Sequence, residues 1–167
     1  MPTTAAIDKA VPHNLEAERA LLGSILLDNS ALNVALEFLK TADFYSDAHR
    51  MAFDKMVELS ERNRPAELVT LAEELEKDGL LEKAGGRAYL ASLIDGVPIA
   101  SLPSASAYAQ IVKEKAIVRG LINASQNIIA RCYSGTDDSE TLLDLAQSQI
   151  FEIAEKDVQS GFSRVQD

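Results

Sequence analysis

Residues 106 to 132, SAYAQIVKEKAIVRGLINASQNIIARC, read as about seven turns of uninterrupted helix and hold no residue constellation that looks catalytic. A second helical segment follows at roughly 139 to 157, and the short Gly-containing joint YSGTDDS makes an antiparallel hairpin of the two. On the first helix Ile111, Val118, Ile122, Ser125, Ile129 and Cys132 fall on one stripe, and Ile117, Leu121, Ala124 and Ile128 on a stripe beside it. At about 100° per residue the two stripes span about 160° of the helix, more than one hairpin partner can cover. The second helix brings Leu142, Leu143, Ala146, Ile150, Ile153 and Ala154, again broader than a narrow seam, with Phe151 to the side. Two helices with no third local partner leave apolar surface for another copy of the chain or a different protein.

Charge divides between the same two helices. The first carries Lys113, Lys115, Arg119 and Arg131 against Glu114, whereas residues 136 to 157 are acidic except for Lys156. Opposite signs on paired helices set register and partner choice; the alternative is two solvated faces of unrelated sign.

Upstream, residues 12 to 98 read as several helices of ordinary length with short connections, a compact helical subdomain. PHNLEAERALLGSILLD opens it, with His13 or Asn14 as cap, Glu16 and Glu18 in the electropositive first turn, and Leu15, Leu22, Ile25 and Leu26 as the buried face. Gly23 in mid-helix costs about 1 kcal/mol against Ala, which a close helix crossing would explain. DNS at 28 to 30 caps a second helix through Val34, Leu36 and Leu39, and Ser46 caps a third that turns Met51, Phe53, Met56 and Val57 inward. Thr70 and Glu73 fit a capping box whose helix stops at Gly79. Gly85 and Gly86 make a turn before a short helix with Tyr89, Leu90, Leu93 and Ile94, which stops at Gly96 and Pro98. IASLPSASA is then a linker or a helix start, and residues 1 to 11 read as a disordered leader. The fold class expected is all-α, a compact multi-helix subdomain over 12–98 followed by a long helical hairpin over 99–157.

Composition narrows the function. A formal charge of −10 disfavours sequence-independent nucleic-acid binding, so any contact of Lys113, Lys115, Arg119 or Arg131 with DNA is expected to be weak or indirect. Cys132 is the only cysteine, and with His13 and His49 it makes no zinc site. The N-terminus has no basic region followed by an apolar run, so a cytoplasmic protein is expected. No G-x-x-x-x-G-K-[ST] loop, G-x-G-x-x-G, H-E-x-x-H or G-x-S-x-G is present. Acidic neighbours such as Glu73 and Glu74 read as solubility, and His49 beside Arg50 as a capped helix start rather than a catalytic pair. No catalytic residue, cofactor or metal site is expected here.

The ordered series PHNLEAERALLGSILLDN, DFYSDAHRMAFDKM, LVTLAEELEKDGLLEKAGGRAYLASL, SAYAQIVKEKAIVRGLI and LLDLAQSQIFEIAEK resembles the N-terminal region of bacterial replicative DNA helicases, the DnaB family, from about Val11 to Lys156. The resemblance implies a helical globular domain and a hairpin, with residues 158–167 beginning a linker to an ATPase domain where ATP and Mg would be used. It implies hairpins paired between subunits in a trimer of dimers, a docking surface for primase, and contacts with a helicase loader. Carried over on it, Tyr89, Ile122 and Ile128 are primase-facing candidates, the two isoleucines with intramolecular core as the alternative. Ile111, Val118, Leu121 and Ile129, with Leu142, Ile150 and Ile153 opposite, are the expected subunit interface. A helical adaptor or helicase inhibitor that mimics this collar is the alternative reading.

Overall fold

The structure is a computed structural model that describes residues 10–97 and 102–162. The expected leader up to residue 9, the stop at Pro98 with the joint up to residue 101, and the linker residues 163–167 lie outside the described residues. Seven α-helices follow in order: α1 Leu15–Leu27, α2 Ser30–Phe38, α3 Asp47–Glu61, α4 Leu68–Lys77, α5 Gly86–Asp95, α6 Leu102–Ser134 and α7 Ser139–Phe162. A single 3-10 turn, Thr41–Asp43, links α2 to α3, and no strand occurs among the described residues. The chain is all-α, as its composition and periodicity predict.

The core is built around α1. Leu21, Leu22, Ile25 and Leu26 are buried against Leu32, Phe44, Phe53, Met56, Leu71, Leu75, Leu90 and Leu93 from the surrounding helices. Leu15, expected on that buried face, is exposed at the wall of an open cleft it shares with Ser92 and Leu93 of α5; Leu36 of α2 is exposed too, and Ala31, Leu32, Ala35 and Phe38 form the inward face instead. Gly23 marks a close crossing of α1 over α5, where a Cβ would collide with the carbonyl of Leu93. Ala105, Ala109 and Val112 bury the first turns of α6 in the same core, so the small residues after Leu102 are a helix start chosen for close packing.

The helix ends follow the expected chemistry with one exception. Asn14 caps α1 by accepting from the Ala17 N–H at 2.9 Å, and Ser46 caps α3 by accepting from His49 at 3.4 Å. Replacing Asn14 with alanine is therefore expected to destabilise the fold by about 1 kcal/mol, read from the urea midpoint. The exception is α4, which begins at Leu68, two residues before Thr70. Glu67 is its cap, and the Thr70 hydroxyl accepts from the Glu67 N–H at 3.0 Å, so Thr70 fills the third helical position of a box rather than its first. Gly79 and the Gly85–Gly86 pair have positive φ, which ends α4 and turns the chain into α5.

Two carboxylates next in sequence separate completely. Glu73 is exposed, but Glu74 is buried and accepts from Arg64 at 2.8 Å and Arg62 at 3.4 Å, with the Lys77 Nζ at 3.6 Å. Burial pushes the Glu74 carboxyl up, and the Arg64 hydrogen bond with the three cations outweighs it, leaving the group below the usual range. Glu74 thus ties α4 to the loop after α3 instead of serving as surface charge.

Candidate interaction surface

The far part of α6 and all of α7 form the antiparallel hairpin, joined through Gly135 at positive φ. Buried Ala124 and half-buried Ile117 and Ile128 lie on the line of α6 turned inward, where it meets α2 and α7. The Ile153 side chain of α7 lies over Gly120, a position that keeps the two helices close. Against that seam, Ile111, Val118, Leu121 and Ile129 of α6 and Leu143, Ile150 and Phe151 of α7 are exposed. Phe151 is 65% exposed and Ile129 55%, values that belong to no intramolecular core. Ala146, Gln147, Ile150, Phe151 and Ala154 outline a shallow, almost wholly apolar depression along α7.

Of the seven residues expected at a subunit interface, Ile111, Val118, Leu121, Ile129 and Ile150 are thus exposed, while Leu142 and Ile153 are half-buried within the hairpin. Ile122 and Ile128 are half-buried as well. Tyr133, 88% exposed, belongs to the surface too; it is expected in the joint, whereas α6 continues through it to Ser134.

The charge pattern of the hairpin works differently from the expected helix pairing. Arg131 donates to Asp137 of the joint at 2.7 Å, Lys113 pairs with Asp43 at 3.4 Å, and Arg119 donates to the carbonyls of Pro12 at 2.9 Å and Asp43 at 2.6 Å. These cations of α6 therefore hold the hairpin tip and the base of the globular part, rather than a row of acids on α7.

Tyr89, on α5, is fixed from beneath by a buried polar network. Its hydroxyl lies 2.5 Å from Nε2 of His49, whose Nδ1 donates to Glu18 at 2.8 Å. Glu18 also accepts from the backbone N–H groups of Tyr45 at 2.9 Å and Ser46 at 3.3 Å. With Nδ1–H donating to Glu18, Nε2 of neutral His49 accepts a hydrogen bond from the Tyr89 hydroxyl, and a charged His49 donates to the phenol oxygen, so the chain of hydrogen bonds closes either way. Burial pushes the Glu18 carboxyl up, yet the bonds from His49, Tyr45 and Ser46 hold it below the usual range. Burial likewise pushes the Tyr89 hydroxyl up, against the nearby charge of Arg19, whose guanidinium stands 5.6 Å from the ring centre. The Tyr89 ring is half-buried, with its polar tip anchored at a fixed height beside the cleft between α1, α5 and α6.

No periodic signal announces this network: Glu18, His49 and Tyr89 are 31 and 40 residues apart along the chain. Among the described residues no group of three or more His, Cys, Asp or Glu is arranged to hold a metal ion, and no helix is long and apolar enough to cross a membrane. The geometry offers an exposed apolar hairpin face and a half-buried tyrosine held by hydrogen bonds.

Residues 10–114 match the family described as DnaB-like helicase N terminal domain. The chain is 39% identical over 160 residues to the replicative DNA helicase DnaC of Bacillus subtilis (strain 168), covering 96% of this chain and 35% of that protein. It is 40% identical over 152 residues to the replicative DNA helicase DnaB of Treponema pallidum (strain Nichols), covering 91% and 34%. The chain spans about a third of the length of these relatives. Among solved structures, the N-terminal domain of DnaB helicase from Mycobacterium tuberculosis superposes with a TM-score of 0.80 at 39% identity, over 86% of this chain and 99% of that one. A DnaB-like replicative helicase, described together with its interactions with primase, shares the fold with a TM-score of 0.69 at 24% identity, over 86% of this chain and 31% of that one.

Proposed function

The chain belongs to the family of DnaB-like helicase N terminal domains, and from that membership we propose that it is the non-catalytic oligomerisation and primase-docking module of a replicative DNA helicase. In the whole protein a motor domain would use ATP and Mg to unwind DNA at the replication fork, in the bacterial cytoplasm. The observation that carries the reading is the exposed apolar face of the hairpin, with Ile111, Val118, Leu121 and Ile129 on α6 and Leu143, Ile150 and Phe151 on α7. Such a face marks a site for contact with another surface, and a second hairpin is the occupant that self-complementary packing favours. Tyr89, Ile122 and Ile128 are proposed as the primase contacts, with a helicase loader as a further partner. By holding motors in a ring and primase near the fork, the module would raise the effective concentration of each for the other.

Sedimentation velocity over a wide concentration range tests the reading. The chain is expected to self-associate, and Ile150→Asp, an exposed position, is expected to shift it to monomer by weakening association roughly a hundredfold while leaving its helical circular dichroism unchanged. A strictly monomeric wild type at high concentration would remove hairpin pairing. Primase binding is read separately by calorimetry, where Tyr89→Ala is expected to weaken the complex at least about tenfold.

A further inference from the structure

We propose that the cleft between the 3-10 turn, the start of α3 and the hairpin helices is a binding site for a phosphate group. The cleft, about 510 Å³, receives Arg50 from α3, Lys113 and Arg119 from α6 and Lys156 from α7, around the single carboxylate of Asp43. Four positive charges meet two carboxylates, Asp43 in the lining and Asp47 paired with Arg50, a local excess of two in a chain whose net charge is −10. This reverses the sign of the molecule over one concave surface, where field lines concentrate.

The existing partners of these side chains fix their positions and cancel only part of their charge, through Asp43 at Lys113 and Asp47 at Arg50. Arg119 donates to two neutral carbonyls, those of Pro12 and Asp43, and to no carboxylate within hydrogen-bond reach. Arg50 spends its Nε on the carbonyl of Phe44 at 2.7 Å and reaches only the exposed Asp47 beyond it, at 3.3 Å. Lys113 meets Asp43 at 3.4 Å, at the loose end of an ion pair. Guanidinium groups held by backbone carbonyls keep their charge and lose their freedom, the condition for binding an anion at small entropic cost.

The donors also select the shape of the anion. They converge from three separate helices, which suits the several oxygens of a tetrahedral phosphate; a planar carboxylate is satisfied by one guanidinium fork. Tyr45 at the rim offers no platform for a base, because His13 stacks on it at 4.2 Å between ring centres and Arg119 stands 5.7 Å from its centroid. The cleft therefore recognises phosphate oxygens rather than bases, whether from a free nucleotide or from the backbone of a strand. This inference does not depend on the hairpin pairing proposed above.

Titration of the nitrogen-15-labelled chain with inorganic phosphate, at constant ionic strength in chloride, tests it. Saturable shifts of the Asp43, Tyr45 and Arg119 amides are expected in the millimolar range, weakened about tenfold in Lys113→Gln/Lys156→Gln. Lys156→Gln alone, at an exposed position, gives a smaller weakening in a chain whose remaining spectrum stays superimposable. AMP and a ten-residue oligo-dT then compete with phosphate; the one effective at lower concentration identifies the source. The proposal fails if Arg87, an exposed residue of α5 outside the cleft, shifts as much as the cleft, if the double variant binds phosphate unchanged, if acetate gives the same shifts, or if neither competitor displaces phosphate.

Discussion

Glu18→Ala is expected to lower the unfolding free energy by about 3–5 kcal/mol, read by urea denaturation with circular dichroism, because it strips the partner from three donors at once. The Tyr45 N–H, the Ser46 N–H and Nδ1 of His49 all converge on the Glu18 carboxylate, which is 1% exposed. No other group among those bonds reaches them, so alanine leaves buried polar atoms unpaired and loosens the entry to α3 at the Ser46 cap. Glu18→Gln keeps the volume and one acceptor oxygen for His49 and Ser46 but sets an NH2 against the Tyr45 N–H; its cost is expected to be smaller, about 2–3 kcal/mol. A Tyr89→Phe cycle with Glu18→Gln separates the tyrosine end of the network, since a nonzero interaction energy requires that the effect pass through His49.

The same residue gives stability a pH dependence of definite sign. Glu18 titrates lower folded than unfolded, because the bonds it accepts outweigh its burial. Its contribution is then complete above the unfolded glutamate value, about 4.3, and is lost as pH falls through the lower folded value. Asp28, Glu74, Asp78 and Asp138 shift in the same direction and share the acid limb. Glu18→Gln is expected to flatten that limb while lowering the plateau at neutral pH.

Sequence periodicity located the helices well where each had one apolar stripe and a capping residue. Asn14, Ser46, Gly79 and Gly85 mark ends that the coordinates reproduce, since capping is local chemistry that a few adjacent residues decide. Glu18 and Glu74 escaped that logic. Each looks like one more surface acid, and its role depends on cations, imidazole or amide groups delivered by distant helices. Arg119 is similar: as a charge on α6 it suggests pairing with α7, and only the fold reveals that the Pro12 and Asp43 carbonyls capture it. The breadth of the apolar arc on α6 was legible as an excess, and exposure of Ile129 and Leu121 shows where that excess lies. What would cover it is not written in that periodicity, because a partner's surface is the property of another molecule.

Gly23→Ala is expected to destabilise the fold by about 2–3 kcal/mol, although alanine gains about 1 kcal/mol of helix propensity at an ordinary position. The added methyl would stand far inside van der Waals contact with the Leu93 carbonyl oxygen and 2.6 Å from Cγ2 of Val97. Val97 can rotate, but the carbonyl moves only with the backbone of α5. Displacing α5 pulls Tyr89 away from His49, whose 2.5 Å contact depends on the same crossing. The packing penalty is thereby joined to a broken polar network, which places the expected loss at the upper end for overpacked cores. Gly96→Ala supplies the control: no atom lies within 4 Å of its Cβ position and its φ is −92°, so its effect is expected within about 0.5 kcal/mol. Equal urea midpoints for the two variants would show that α1 and α5 do not need their close approach. A gap of more than about 1.5 kcal/mol between them identifies the crossing at Gly23, rather than glycine flexibility in general, as what fixes α5 and with it the Tyr89 edge.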